Sequence, residues 1–187
     1  QGDSEFWLRW PESRYLQRIA DKDPEKVADA FRQMPETDNP FVHSDLLDAA
    51  MKMPGHYAAI LAERERLWIE RSEYLETMTA HDQGKLVAHL AQSNEPNVAM
   101  RLARALLDIL PDPHYSQVEQ EQPEDMESLS ILWPRAKVGD WYQEILQEDI
   151  PALVDSAGIN AVAMLCDLLE KAISLSSLKP DQDKPGD

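Results

Sequence analysis

The side chains able to do chemistry are scattered along the chain rather than gathered into a motif. The candidate bases and metal ligands are His43, His56, His81, His89 and His114. A zinc hydrolase needs two histidines one helical turn apart around a glutamate, and a zinc finger needs cysteine partners. Neither spacing is present. His81 and His89 are eight residues apart and can share a helix side, but His81 falls at the turn expected before Asp82. Surface or capping roles are the expectation for all five, and no metal or cofactor is expected.

Carboxylates are abundant, so pairs such as Asp45/Asp48 and Glu144/Glu148 follow from composition. An acid/base pair for glycoside chemistry must face across a cleft, whereas residues three or four apart lie on one helix surface. Solvated faces are the expected reading, and the alternating Glu63-Arg64-Glu65-Arg66 is read the same way. There is no phosphate-binding glycine loop, no Gly-x-Ser-x-Gly and no dinucleotide fingerprint. The reading is therefore non-enzymatic, with no catalytic residue named. The alternative is an enzyme or ligand sensor with a site between repeats, using His43, Asp45 or His81.

The candidate interaction residues are Trp7 and Trp10, beside Phe6, and Arg101 and Arg104, one turn apart. The tryptophans read as a capping or interface surface. The arginines could form a small basic patch with Arg64, Arg66 and Arg71, although pairing with nearby glutamates is the stronger expectation. Overall charge is −17, from 35 acidic and 18 basic residues. Such a surface repels phosphate backbones and anionic membranes, which argues against nucleic acid and lipid as partners. Cys166, the single cysteine, excludes an intrachain disulfide and fits a reducing compartment such as the cytoplasm. Its place inside the apolar pattern Val162–Ile173 predicts a small buried core residue.

The elements positioning these residues read as helices. Hydrophobic residues are 43% and glycines only six, while the thirteen prolines fall mostly between periodic apolar runs, where they start or stop helices. Trp10-Pro11-Glu12-Ser13 opens a helix with Tyr15, Leu16 and Ile19 as its face. Asp23-Pro24-Glu25 opens another, carrying Val27, Ala28, Phe31 and Met34. Asn39-Pro40 starts a third, with Val42, Leu46, Ala49, Ala50 and Met53 inward. A longer helix from about His56 to Arg71 is expected to bury Tyr57, Ile60, Leu61, Leu67 and Trp68.

The pattern then returns. Tyr74-Leu75 answers Tyr15-Leu16, and Asp82 answers Asp23. Leu86, Val87 and Leu90 stand where Val27, Ala28 and Phe31 stood, and Pro96 to Leu106 answers Pro40 to Ala50. A weaker third copy begins at Asp140-Trp141-Tyr142, is started or kinked again at Pro151, and ends in a helix from Ile159 to about Ser174 after Gly158. A helix pair with one apolar face cannot bury it alone, so neighbours must stack. The expected fold is all-α, an α-solenoid of about three helix-pair repeats.

Trp10-Pro11-Glu12-Ser13-Arg14-Tyr15-Leu16, Glu36-Thr37-Asp38-Asn39-Pro40 and Leu102-Ala103-Arg104-Ala105-Leu106-Leu107 resemble HEAT- or armadillo-like helical segments of large, poorly characterised bacterial proteins. The resemblance covers about residues 10–175. It implies a scaffold that binds a protein partner or adjacent domains of a longer chain. Such arrays are often fused to an ATPase, nuclease or other effector, none of which has a counterpart here. A start at Gln1 and a polar end are the pattern expected of a piece of a longer polypeptide. The expected organisation is N-terminal helical repeats over 1–110, an acidic connection over 111–137, a C-terminal helix pair on the same array over 138–176, and a flexible tail over 177–187. The connection holds six acids and no lysine or arginine between Asp112 and Ser128, predicting a mobile loop that Ile131, Leu132 and Trp133 tack back onto the helices.

Overall fold

The structure, a computed structural model, describes residues 8–72, 74–110, 132–134 and 140–177. The acidic run Asp112–Ser128, Trp7 and the tail beyond Ser177 lie outside the described residues. The fold is all-α. Its helices are α1 Pro11–Ile19, α2 Pro24–Gln33, α3 Pro40–Ala50, α4 Gly55–Arg71, α5 Thr77–Gln92, α6 Pro96–Leu107, α7 Asp140–Glu148, α8 Ile150–Ala157 and α9 Ile159–Ser177. Two three-residue strands, β1 Tyr74–Glu76 and β2 Leu132–Pro134, pair antiparallel with Leu75 opposite Trp133.

Proline sits in the first turn of α1, α2, α3, α6 and α8, where its fixed φ suits the helix and no intrahelical donor is lost. The caps differ from one another. Asn39 accepts a hydrogen bond from the Phe41 backbone N–H at 3.0 Å. Asp23 makes no cap bond and instead accepts from Lys26 Nζ at 2.7 Å. Gly158 has φ +57 between α8 and α9, a conformation that L side chains rarely adopt.

The helices pack in two rows. In one, α1 packs on α3, α3 on α5, and α5 on α7 and α8; in the other, α2 packs on α4, α4 on α6, and α6 on α9. Contacts between α1 and α2, α3 and α4, α5 and α6, and α8 and α9 join the rows. One continuous core runs through them, anchored by Phe31, Leu46, Leu61, Leu86, Leu102 and Ile145. Gly84 on α5 lets α7 approach: a Cβ there would stand 2.7 Å from Ile145 Cγ1 and still closer to Asp149 Oδ2.

Several details depart from the sequence reading. Tyr74-Leu75 does not open a helix but forms strand β1, and Asp82 lies inside α5 rather than capping it. Leu132–Pro134 is held by backbone pairing to β1, not by packing onto helices alone. The sequence match sets α2 against α5 and α3 against α6, yet each of those pairs occupies opposite rows. In α1 Tyr15 is 61% exposed, and the one fully buried side chain is Ser13. In α4 the buried stripe is Ala58, Leu61, Ala62, Glu65 and Ile69, leaving Leu67 exposed and Tyr57, Ile60 and Trp68 half-buried. The reason is that α4 touches α2, α3, α5 and α6, so contacts on several sides, not one amphipathic face, select its inner residues.

Candidate functional site

The largest concentration of buried ionisable groups lies where α3, α4 and α5 meet. His43 on α3 and Glu65 on α4 are 4% and 0% exposed. Their Nδ1 and Oε1 atoms are 2.6 Å apart, and His43 Nε2 lies 2.8 Å from the Thr37 carbonyl oxygen. A carbonyl can only accept, so Nε2 carries a hydrogen and donates it. A second proton must lie between Nδ1 and Glu65. Burial alone would lower the His43 pKa, but the charge and hydrogen bond of Glu65, helped by Thr37, raise it above its ordinary value. The ring stacks on Trp68, with centroids 3.8 Å apart.

Glu65 Oε2 accepts from Gln83 Nε2 on α5 at 3.2 Å, while the buried Gln83 Oε1 has no partner. The same cluster pins the segment between α2 and α3. Arg64 donates to the carbonyls of Phe31, Met34 and Pro35, at 2.8, 2.8 and 2.7 Å. Trp68 Nε1 donates to Asp38 at 3.1 Å, and Arg71 pairs with Glu36. The arginine bonds satisfy the Met34 and Pro35 carbonyls just past α2 and add to the Met34 N–H that the Phe31 carbonyl already accepts. Chemically the cluster is a clamp: both histidine nitrogens are engaged, leaving neither free to take a proton from a substrate.

The other residues considered for a catalytic role have separate partners. Ser13 Oγ lies 2.7 Å from Asp45 Oδ2 and 3.0 Å from the Trp10 carbonyl oxygen, and its one hydrogen serves one of them at a time. His81 lies 3.3 Å from Glu144 across the α5–α7 contact. Nearby Asp149 is buried, which pushes its carboxyl above the usual range against the opposing charge of His81. His43, Asp45 and His81 are therefore not joined in one constellation. No group of three or more His, Cys, Asp or Glu suited to a metal ion occurs among the described residues.

Arg66, Arg101 and Arg104 each lie against a carboxylate. Arg101 on α6 pairs with Glu63 on α4, whose other partner is Arg66 at 2.8 Å. Burial would raise the Glu63 carboxyl, but the hydrogen bonds from Arg66 and Arg101 hold it below the usual range. Arg104 on α6 lies 3.4 Å from Asp167 on α9. Trp10 is half-buried at the start of α1, and Asn39 Nδ2 donates to the neighbouring Leu8 carbonyl at 2.8 Å.

Two features escaped the sequence reading. Glu65, read as part of a solvated alternation, is fully buried because His43 and Gln83 supply its partners. Cys166, read as core, is exposed. It shares the outer face of α9 with Ile159, Val162, Leu169 and Ile173, which are 77%, 41%, 61% and 56% exposed. Ala161, Met164 and Leu168 on the opposite side form the buried face. The signal was present in the sequence: α9 is apolar on two sides, and a helix of that kind is normally covered on both.

Comparison with protein-family models, with curated proteins and with solved structures yields no match. No helix among the described residues is long and apolar enough to cross a membrane.

Proposed function

We propose that the chain is a HEAT/armadillo-type α-solenoid module acting as an intracellular protein-interaction scaffold. The observation that carries this reading is the pair of helix rows that runs, among the described residues, from α1 to α9, whose outer face is apolar and exposed. Helix packing in rows supports a repeat array, since each pair buries the face that its neighbour leaves open. The polar side chains support it too: the buried ones hold helices and their connection together, and none converges on an open reacting position. An exposed apolar stripe on a terminal helix is a docking surface of the kind such arrays present.

The reading is tested by the reactivity of Cys166, the one cysteine of the chain. A protein seated on the outer face of α9 must slow its reaction with a maleimide, and Leu169→Lys must restore the rate by weakening that docking. Unchanged reactivity with every candidate partner, and at low and high concentration of the chain itself, would remove the interaction role from this face.

A further inference from the structure

We infer that the occupant of this face is a second copy of the chain, with α9 packed against α9 in an antiparallel pair. The inference rests on the interaction reading above and gives it a partner. Ile159, Val162, Cys166, Leu169 and Ile173 follow one another at steps of three, four, three and four. That alternation averages 3.5 residues, the period at which side chains of one helix enter the spaces of another. The complementary surface is therefore a helix with the same period. Among the described residues, the large exposed apolar side chains outside α9 are Leu8, Tyr15, Leu67 and Leu146, which stand singly on separate segments. Among the described residues the matching run is the face of α9 itself.

The face is self-complementary. In an antiparallel pair the first position of each heptad packs on the fourth of its partner, so Cys166 meets Leu169 of the second copy and Ile173 meets Val162. An isologous contact of this kind closes as a dimer. Glu170 is the one ionisable residue beside the stripe, and the antiparallel arrangement sets the two Glu170 carboxylates roughly a turn or more apart along the axis. Stacking two such stripes removes on the order of 1,000 Å² from water, the lower bound for a specific interface, so the dimer is weak and concentration-dependent. Each copy carries a charge of −17. Repulsion between remote charges is screened beyond ~8 Å at physiological salt. Association should thus tighten as salt rises, opposite to the docking of a basic partner.

Sedimentation equilibrium of the whole chain, from micromolar to near-millimolar concentration and at two salt levels, tests this. The expected result is a mass rising from one chain toward two, earlier at higher salt. Leu169→Lys and, separately, Ile173→Lys should weaken association about tenfold or more. Both side chains are already exposed, so circular dichroism of the variants should match the wild type. A short bismaleimide should link the two Cys166 thiols in the wild type and much less in Leu169→Lys. A monomer at every concentration, or a dimer indifferent to both lysines, would overturn the inference. So would protection of Cys166 by a different protein while the chain stays monomeric, and that outcome would leave the interaction reading standing.

Discussion

The centre of the molecule and its last described helix invert each other's use of side chains. Where α3, α4 and α5 meet, Glu65 is wholly buried; on α9, Ile159 is 77% exposed. At the centre each ionisable group is fixed by partners from other segments: His43 by Glu65 and Thr37, Glu65 by Gln83 as well. On α9 the outer apolar side chains are instead largely exposed to solvent. A buried charge is tolerated where its partners come from rigid neighbours, and it then specifies how those helices register. An exposed apolar stripe has no directional partner, so it leaves the identity and angle of the next helix open. The N-terminal end offers a third case. There α1 presents Glu12, Arg14 and Arg18 to solvent together with the exposed Tyr15, mixing charged and apolar side chains on one surface.

The largest effect should come from breaking the centre. Glu65→Ala leaves the His43 ring and the Gln83 amide without their shared acceptor, and unfolding in urea should show a loss of ~3–5 kcal/mol. Glu65→Gln keeps the shape and a hydrogen-bonding atom, so its loss should be smaller. Equal stability of Glu65→Ala and wild type would mean that the clamp contributes nothing to register.

The junction between the two regions comes next. Gly84→Ala places a methyl group against Ile145 and Asp149, and the forced shift of α7 should cost about 1–3 kcal/mol. Alanine is otherwise the better helix former, so a stabilised Gly84→Ala variant would show that α5 and α7 are not closely packed.

A weaker effect is expected from pH, because burial of the His43 cation offsets part of what Glu65 contributes. The His43 pKa is raised above its ordinary value of 6.5. The folded state therefore holds the proton more tightly than the unfolded state does. The contribution is fully present below about pH 6.5 and is lost as pH rises through the folded-state pKa. Urea midpoints should fall across that interval in the wild type and stay flatter in His43→Gln. A midpoint that rises with pH in the wild type alone would reverse the assigned sign.

The smallest effect belongs to the end. Leu169→Lys should change the stability of the monomer by no more than ~0.5 kcal/mol, since the side chain is exposed in the single chain. A loss of several kcal/mol measured at low concentration would show that the outer face of α9 is covered within the chain, and the contrast with the centre would disappear.

Much of the framework was legible in order of appearance along the chain. Prolines in the first turn marked the starts of α1, α2, α3, α6 and α8, because φ near −65° without an N–H suits a first turn whatever follows. The apolar positions of α2 also followed from spacing, since it buries one stripe. The pattern was less informative where a helix has more than two neighbours. The inner side of α4 contains Glu65 and excludes Leu67, a choice set by His43 and Gln83 arriving from α3 and α5. Tyr74-Leu75 matched an earlier helical start, yet the strand Leu132–Pro134 claimed its backbone. Sequence by itself determined the all-α class, most helix starts and the charge, because those depend on dihedral preference and composition within a few residues. Tertiary structure alone decided that a glutamate would be core and a cysteine surface, because burial is a property of which helices meet, and residues far apart in sequence settle that.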